Sequence, residues 1–504
     1  MTTCFIGIDL GTSACKVLAL DTSGQVLATS MRDYPVVTTR PGWAEQDPAL
    51  WWKATDDAVQ DLVGRLPSGA SVRGFGLSGQ MHGLTALDEE RQVIRSAILW
   101  NDQRAAPQCA EITERAGGLP GLLDLVQNRM LPGFTAGKIL WLRQHEPTSF
   151  KGMRHLLNPK DFIRLQMTGE LVTEVSDASG TGLFDVRERR WSSDLLRLLD
   201  IPEDLMPPVV ESPEATGTLL PEVAQRWGLP ASTPVFGGGG DAVIQTTAMG
   251  IIDDGAIGIT LGTAGIVAGA SGSCPDDIDG TLQISCGNAP DRWHVMGVSL
   301  VAGGAFQWLR DMLRTLVGPQ LQYSSLVELA RQAPPGSEDL LFLPYLLGER
   351  CPHVAPDARG SWVGLTPMHS AAHLSRSVLE GVLLNLRQIV EVCESTGLDC
   401  TQVRVSGGVT VEPLWMQMLS DVLNREVVTV TGAAEGGAYG AALVAGVGTG
   451  DLGTLADAAG LVRETSRFTP DAGNAEVYER LFTVHRGLYR TLEPTFAQLA
   501  DAQR

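Results

Sequence analysis

Apolar and polar positions alternate along the chain in two rhythms, strand-length apolar runs closed by glycine or polar turns and longer stretches with helical spacing. The run F-I-G-I-D-L (5–10) ends in Gly11-Thr12-Ser13, and K-V-L-A-L-D, the turn T-S-G-Q and a new strand start V-L-A follow. That glycine loop therefore joins strand to strand. S-V-R-G-F-G-L-S-G-Q (71–80) and S-A-I-L-W-N-D (96–102) predict strands ending in polar loops, and Pro48 through Leu62 predicts an amphipathic helix with Trp51, Trp52, Ala58 and Leu62 on one side. Thr233–Phe236 predicts a short strand running into Gly237–Gly240. V-R-V-S-G-G (403–408) followed by E-P-L-W-M-Q-M-L-S-D-V-L (412–423) predicts strand, glycine turn and helix. The alternation indicates an α/β architecture.

One pattern occurs twice. Residues 6–13 read I-G-I-D-L-G-T-S and residues 257–264 read I-G-I-T-L-G-T-A, one copy at the head of each half. With 504 residues, too many for a single hydrophobic core, the chain is expected to form two domains, 1–247 and 248–504. The Pro-rich stretch 207–218 reads as an irregular approach loop.

Composition narrows the field. Apolar residues make up 44% and charged residues 19%, as in ordinary globular proteins. The formal net charge of −20 repels nucleic acid and anionic membranes. An anionic nucleotide would have to be held by local groups and a metal, whereas a neutral sugar would not feel the field. The eight cysteines form no C-x-x-C pair, so neither a zinc knuckle nor a disulfide framework is indicated. The start lacks a basic, apolar leader and no apolar run is long enough for a bilayer, which gives the expectation of a reduced, cytoplasmic protein.

Two constellations carry candidate chemistry. A glycine turn between strands presents successive N–H groups, and the hydroxyls of Thr12 and Ser13 add donors, so Gly11–Ser13 can hold phosphate oxygens. Asp9 can take Mg²⁺ and Lys16 can add positive charge. The echo with Gly262 and Thr263 would supply a second such loop. An ordinary hairpin turn is the other reading. A Walker loop or dinucleotide fingerprint is excluded, because both require a strand-to-helix junction and a different spacing. In Gly237–Asp241, four glycines allow close approach of backbone and ligand, and Asp241 opens a helix, either as a simple N-cap or as a general base. His369 and His373 have helical spacing without an accompanying carboxylate and read as surface residues.

The motifs G-I-D-L-G-T-S (7–13), W-A-E-Q-D-P-A-L-W-W (43–52), S-G-Q-M-H-G (78–83), L-W-N-D-Q-R (99–104), G-G-G-D (238–241), L-G-T-A-G (261–265), F-L-P-Y-L-L-G-E-R-C-P-H (342–353) and S-G-G-V (406–409) occur in one order that resembles the FGGY carbohydrate kinases. Within that family the chain is most similar to the xylulokinase branch. The resemblance implies an actin/Hsp70-like (ribonuclease H-like) α/β fold of two related domains with a central cleft for ATP and sugar, and it implies the cofactors ATP and Mg²⁺. It assigns Asp241 as catalytic base, Met81, His82, Asn101 and Asp102 to the sugar, and the Thr12/Ser13 and Gly262/Thr263 loops to phosphates, beside the reading of Gly11, Lys16 and Asp9 given above. Gly303, Gln307, Gly408 and Glu412 fall where related kinases hold the nucleoside. Three positions depart from the pattern: Ala242 stands where Asn is frequent, Ala264 where Ser is common, and Glu412 where Ser or Asn is frequent. The expected reaction is phosphorylation of D-xylulose to D-xylulose 5-phosphate, in xylose metabolism. Another ketopentose, a pentitol or glycerol are the alternative acceptors, and a sugar-binding regulator or an Hsp70-like ATPase are the alternatives of another class. No nucleic-acid or membrane partner is expected, and a homodimer is one option for the assembly.

Overall fold

The computed structural model describes residues 2–502. The chain divides into two compact units, but one cut in the sequence does not separate them. The first comprises 1–253, 270–294 and 435–462, and the second 254–269, 295–434 and 463–504. The first break falls at Asp253/Asp254, and two later segments rejoin the first unit.

In the first unit β1 (Thr2–Leu10), β2 (Ala14–Asp21), β3 (Val26–Asp33), β4 (Ala70–Gly79), β5 (Ala215–Thr218) and β6 (Pro234–Phe236) form a mixed sheet in the order β5-β6-β4-β1-β2-β3. β1 and β2 are antiparallel, whereas β4 runs parallel to β1, with Asp9 opposite Ser78. β1 is apolar on both faces because both are covered. Helix Pro48–Gly64, capped by Asp47, brings Trp51, Ala58, Val59 and Leu62 against Ile6, Ile8 and Val17. Helix Gly437–Gly448 lies so close to β1 that a Cβ on Gly7 would sit 1.8 Å from the carbonyl oxygen of Ala438. Only glycine fits there.

The second unit repeats the plan. β7 (Ala256–Leu261), β8 (Gly265–Ser271), β9 (Trp293–Ser299), β10 (Gln402–Ser406), β11 (Val427–Val430) and β12 (Glu464–Phe468) follow the order β9-β8-β7-β10-β11-β12. β7 and β8 are antiparallel and β10 is parallel to β7, with Thr260 opposite Ser406. The sequence echo is therefore a structural one, with the same hairpin beside the same parallel strand. The predicted helix after β10 spans Pro413–Leu423. Of the strand predicted over 96–102, only Ala97–Ile98 pairs as a strand, because the following residues leave the sheet to form a loop. All eight cysteines are free thiols. No helix among the described residues is long and apolar enough to cross a membrane.

Candidate active site

The end of β1 turns back into β2 through Gly11–Ser13, closed by the Gly11 N–H on Ala14 O at 2.9 Å. Side chains fix this turn from three directions. The Tyr34 hydroxyl donates to Gly11 O at 2.5 Å, Gln46 Nε2 to Thr12 O at 2.7 Å, and Trp100 Nε1 to Thr12 Oγ1 at 2.9 Å. Just before the turn, Asp9 accepts from the Ser78 hydroxyl at 2.7 Å. Burial raises the pKa of Asp9, while the Ser78 bond and the charge of Lys16, its partner across the hairpin, lower it.

The glycine run 237–240 leads into helix Asp241–Ala248. Asp241 is not the N-cap; Gly240 takes that place, and the carboxylate turns back to accept the Ala242 N–H at 2.9 Å. Burial, reinforced by the negative charge of Asp9, pushes the Asp241 carboxyl up to about 7, while N–H groups of Ala242 and Met81 pull it down. Asp9, Met81 and Asp241 thus belong to one electrostatic neighbourhood in the first unit.

Met81 and His82 follow the end of β4 after Gln80. A Cβ on Gly240 would strike Met81 Sδ at 2.6 Å, and one on Gly180 would strike His82 Nδ1 at 2.7 Å, so both glycines make room for the pair. His82 has φ +69, unusual for a residue with a side chain. Its carbonyl is captured by Lys138 Nζ at 2.7 Å and Thr135 Oγ1 at 3.1 Å, and its ring stacks on Phe134 and contacts Gly180 O at 2.5 Å.

Asn101 is exposed on the loop after Leu99, whereas Asp102 is completely buried. Asp102 Oδ2 accepts from Ala44 N and Arg104 Nη2 at 2.7 Å each, and Oδ1 from the backbone N–H and Nε of Arg104 at 2.9 Å each. Its carboxylate is saturated inside the protein and shapes the loop bearing Trp100 and Asn101. The bond from Trp100 to Thr12 links that loop to the turn at Gly11–Ser13, and sequence reading had not singled out Trp100, Phe134, Lys138 or Gly180. Only the W-N-D motif offered a signal, for Trp100.

In the second unit the turn at 262–264 closes through Gly262 N–H on Ala264 O at 3.0 Å, a backbone bond that needs no hydroxyl at position 264. Helix Gly303–Val317 begins against it, with Gly303 N–H on Gly262 O at 2.9 Å and the Ala302 and Gly304 N–H groups on Thr263 O. The strand-end pair is Thr260 Oγ1 and Ser406 Oγ, 2.8 Å apart. A cavity of about 440 Å³ opens beside this turn, lined by all six residues expected there for nucleotide, Gly262, Thr263, Gly303, Gln307, Gly408 and Glu412. Phe306, Tyr323 and Trp415 supply aromatic walls. That volume and a mostly apolar lining suit a small-molecule site. Glu412 also pairs with Arg331 and accepts the Leu414 N–H at 3.1 Å, capping helix Pro413–Leu423, which accounts for a carboxylate at this position. His369 and His373 accept N–H groups of Thr366 and Ser370 and thereby close turns. No cluster of three metal-ligating side chains occurs among the described residues.

Comparison with known proteins is consistent with this geometry. Residues 4–250 match the N-terminal domain of the FGGY family of carbohydrate kinases, and 258–449 its C-terminal domain. A xylulose kinase of Escherichia coli is 38% identical over 493 residues, covering 98% of this chain and 100% of that protein. The crystal structure of a xyloylose kinase from Brucella ovis superposes with a TM-score of 0.91 at 34% identity, over 98% of this chain and 100% of the other. A gluconokinase of Bacillus subtilis is 29% identical over 515 residues, covering 100% of this chain and 99% of that protein.

Proposed function

The chain belongs to the FGGY family of carbohydrate kinases, and from that premise we propose that it transfers the γ-phosphoryl group of ATP to a small ketose, D-xylulose first, with Asp241 as general base. The observation that supports the base is its environment: a carboxyl held near 7 at the start of a helix, against Met81 and within the field of Asp9. A base poised near working pH combines a useful deprotonated fraction with real proton affinity.

In this reading Met81 lends an apolar wall to the sugar, His82 and Asn101 provide polar contacts, and Asp102 acts only through the loop it holds. Asp241 takes the hydroxyl proton as that oxygen bonds to the γ-phosphorus and the bond to the bridging β–γ oxygen breaks, releasing ADP. The nucleotide is assigned to the cavity beside 262–263, and the turn at Gly11–Ser13 is read as a phosphate cradle within the first unit. Asp9 fits Mg²⁺, since such ions are usually bound by one or two carboxylates together with substrate phosphates, and a cation there would offset the like charges of Asp9 and Asp241. The metal would supply charge neutralisation on the phosphates.

The gluconokinase relative keeps the acceptor open, so the test is ADP release across D-xylulose, L-xylulose, D-ribulose, L-ribulose, pentitols, glycerol and gluconate, compared by kcat/KM. D-Xylulose is expected to lead; a better acceptor among the others would replace it. Asp241→Asn is expected to lower kcat by about 10²-fold or more with ATP affinity retained. Because the working form is the deprotonated one, kcat/KM for sugar should fall as pH drops through the burial-raised pKa of Asp241 and level off above it, with the midpoint below 7 where Mg²⁺ offsets the charge of Asp9. A profile flat from pH 5 to 8 would remove Asp241 from the role.

A further inference from the structure

Behind the glycine run lies a group of charges that the proposed reaction does not use. Helix Pro159–Thr168 contributes Lys160, Asp161 and Arg164, and Glu174 and Asp177 come from the cap and first turn of helix Val175–Ser179. All five side chains are 0% exposed. Lys160 Nζ stands 2.6 Å from Asp161 Oδ1, 3.5 Å from Asp177 Oδ2 and 3.7 Å from Glu174 Oε1, and Arg164 shares Asp161 Oδ1 at 2.6 Å. Desolvating ions costs several kcal/mol each, and apolar residues of similar volume would often be as stable. Stability alone is therefore a poor reason for the group.

Its outward bonds end on the glycine run that delivers Asp241. Arg164 Nη2 donates to Gly237 O at 2.5 Å. Glu174 Oε1 accepts the Ser176 hydroxyl at 2.8 Å and Oε2 accepts the Ser176 N–H at 2.7 Å, and Ser176 Oγ in turn accepts the Gly240 N–H at 3.0 Å. Both ends of the glycine run thus hang from one ion group, and Gly240 is the residue before Asp241. Without side chains of their own, these glycines cannot lock their conformation by packing. Both carboxylate oxygens of Asp177 lack a hydrogen-bond partner, and Lys160 is the cation nearest to them among the ion pairs.

We propose that Lys160 is a positioning residue: by gathering Asp161, Glu174 and Asp177 it sets Ser176 and Arg164 so that they hold Gly237 and Gly240 and aim the Asp241 carboxylate. The inference rests on Asp241 being the base. An error of about 1 Å in such a group is enough to slow a reaction by about 10²-fold, while ligand binding elsewhere is untouched.

Steady-state kinetics and thermal unfolding of Ser176→Ala, Lys160→Met and Asp241→Asn test it on the full chain. Ser176→Ala, which deletes one bond, should lower kcat about tenfold with KM for ATP and for sugar within about twofold and a transition temperature near that of the parent. Lys160→Met should lower kcat further, and if it fails to fold, Ser176→Ala alone decides. Parent-like kcat in folded Ser176→Ala, with Asp241→Asn inactive, overturns the positioning role and leaves the base assignment standing. An active Asp241→Asn removes the base and the positioning role together.

Discussion

The two glycine turns share a backbone and differ in everything attached to it. Each joins antiparallel strands, each closes with a short N–H···O bond from its glycine, and each first strand lies parallel to a strand with a serine at or one residue before its end. At the strand end the first unit has Asp9 against Ser78, and the second has Thr260 against Ser406. The first pair brings a charge, the second only a neutral hydroxyl contact. Their anchors differ as well. Tyr34, Gln46 and Trp100 hold the first turn by side chains, whereas N–H groups at the start of helix Gly303–Val317 hold the second. A repeated fold can thus keep one hairpin turn in both copies and place a carboxylate beside only one of them.

The comparison can be broken most sharply by making the first strand end resemble the second. Asp9→Thr should lower kcat by about 10²-fold, the scale on which loss of an electrostatic group at a reacting centre is felt, and should weaken the response of turnover to added Mg²⁺. A parent-like magnesium titration would show that the carboxylate is not what separates the turns. The reverse change, Thr260→Asp, should raise KM for ATP about tenfold, because a second carboxylate would face the phosphates and each 1.4 kcal/mol of such repulsion is a factor of ten. Gly303→Ala should have an effect of similar size on ATP binding but little on sugar affinity. Its Cβ would lie 2.6 Å from Gly262 O and push the helix start off the turn. Smallest is Tyr34→Phe, which removes one hydroxyl from Gly11 O and should cost about 1 kcal/mol of stability in chemical denaturation. No single side-chain deletion can do the same at the second turn, where the anchors are peptide groups.

The hairpins were legible because their cause is local. Apolar alternation on either side of Gly-Thr dictates strand, turn, strand, and the echo between 6–13 and 257–264 carried over into matching sheets. Asp241 was legible from four glycines and a helix start, although its place inside the first turn, with Gly240 as cap, was not. Asp102 shows the opposite case. It stands in the W-N-D motif beside Asn101, yet Arg104 and Ala44 consume its carboxylate, and nothing in the spacing of W-N-D-Q-R distinguishes an exposed Asn from a buried Asp. Lys138 and Lys160 look like ordinary surface lysines in the sequence, because their partners, among them His82 O for Lys138 and the carboxylates of Glu174 and Asp177 for Lys160, meet them only in the folded chain.

By itself, then, the sequence determined the α/β class, the duplicated hairpin and the glycine-rich approach to Asp241, all of which follow from residue type and short spacing. Tertiary structure alone decided which charges are buried, which carboxylates are already spent, and how segments 270–294 and 435–462 return to the first unit. Those outcomes depend on contacts between residues many tens of positions apart, and desolvation, the force that sets a buried group's charge and partners, acts only once such contacts exist.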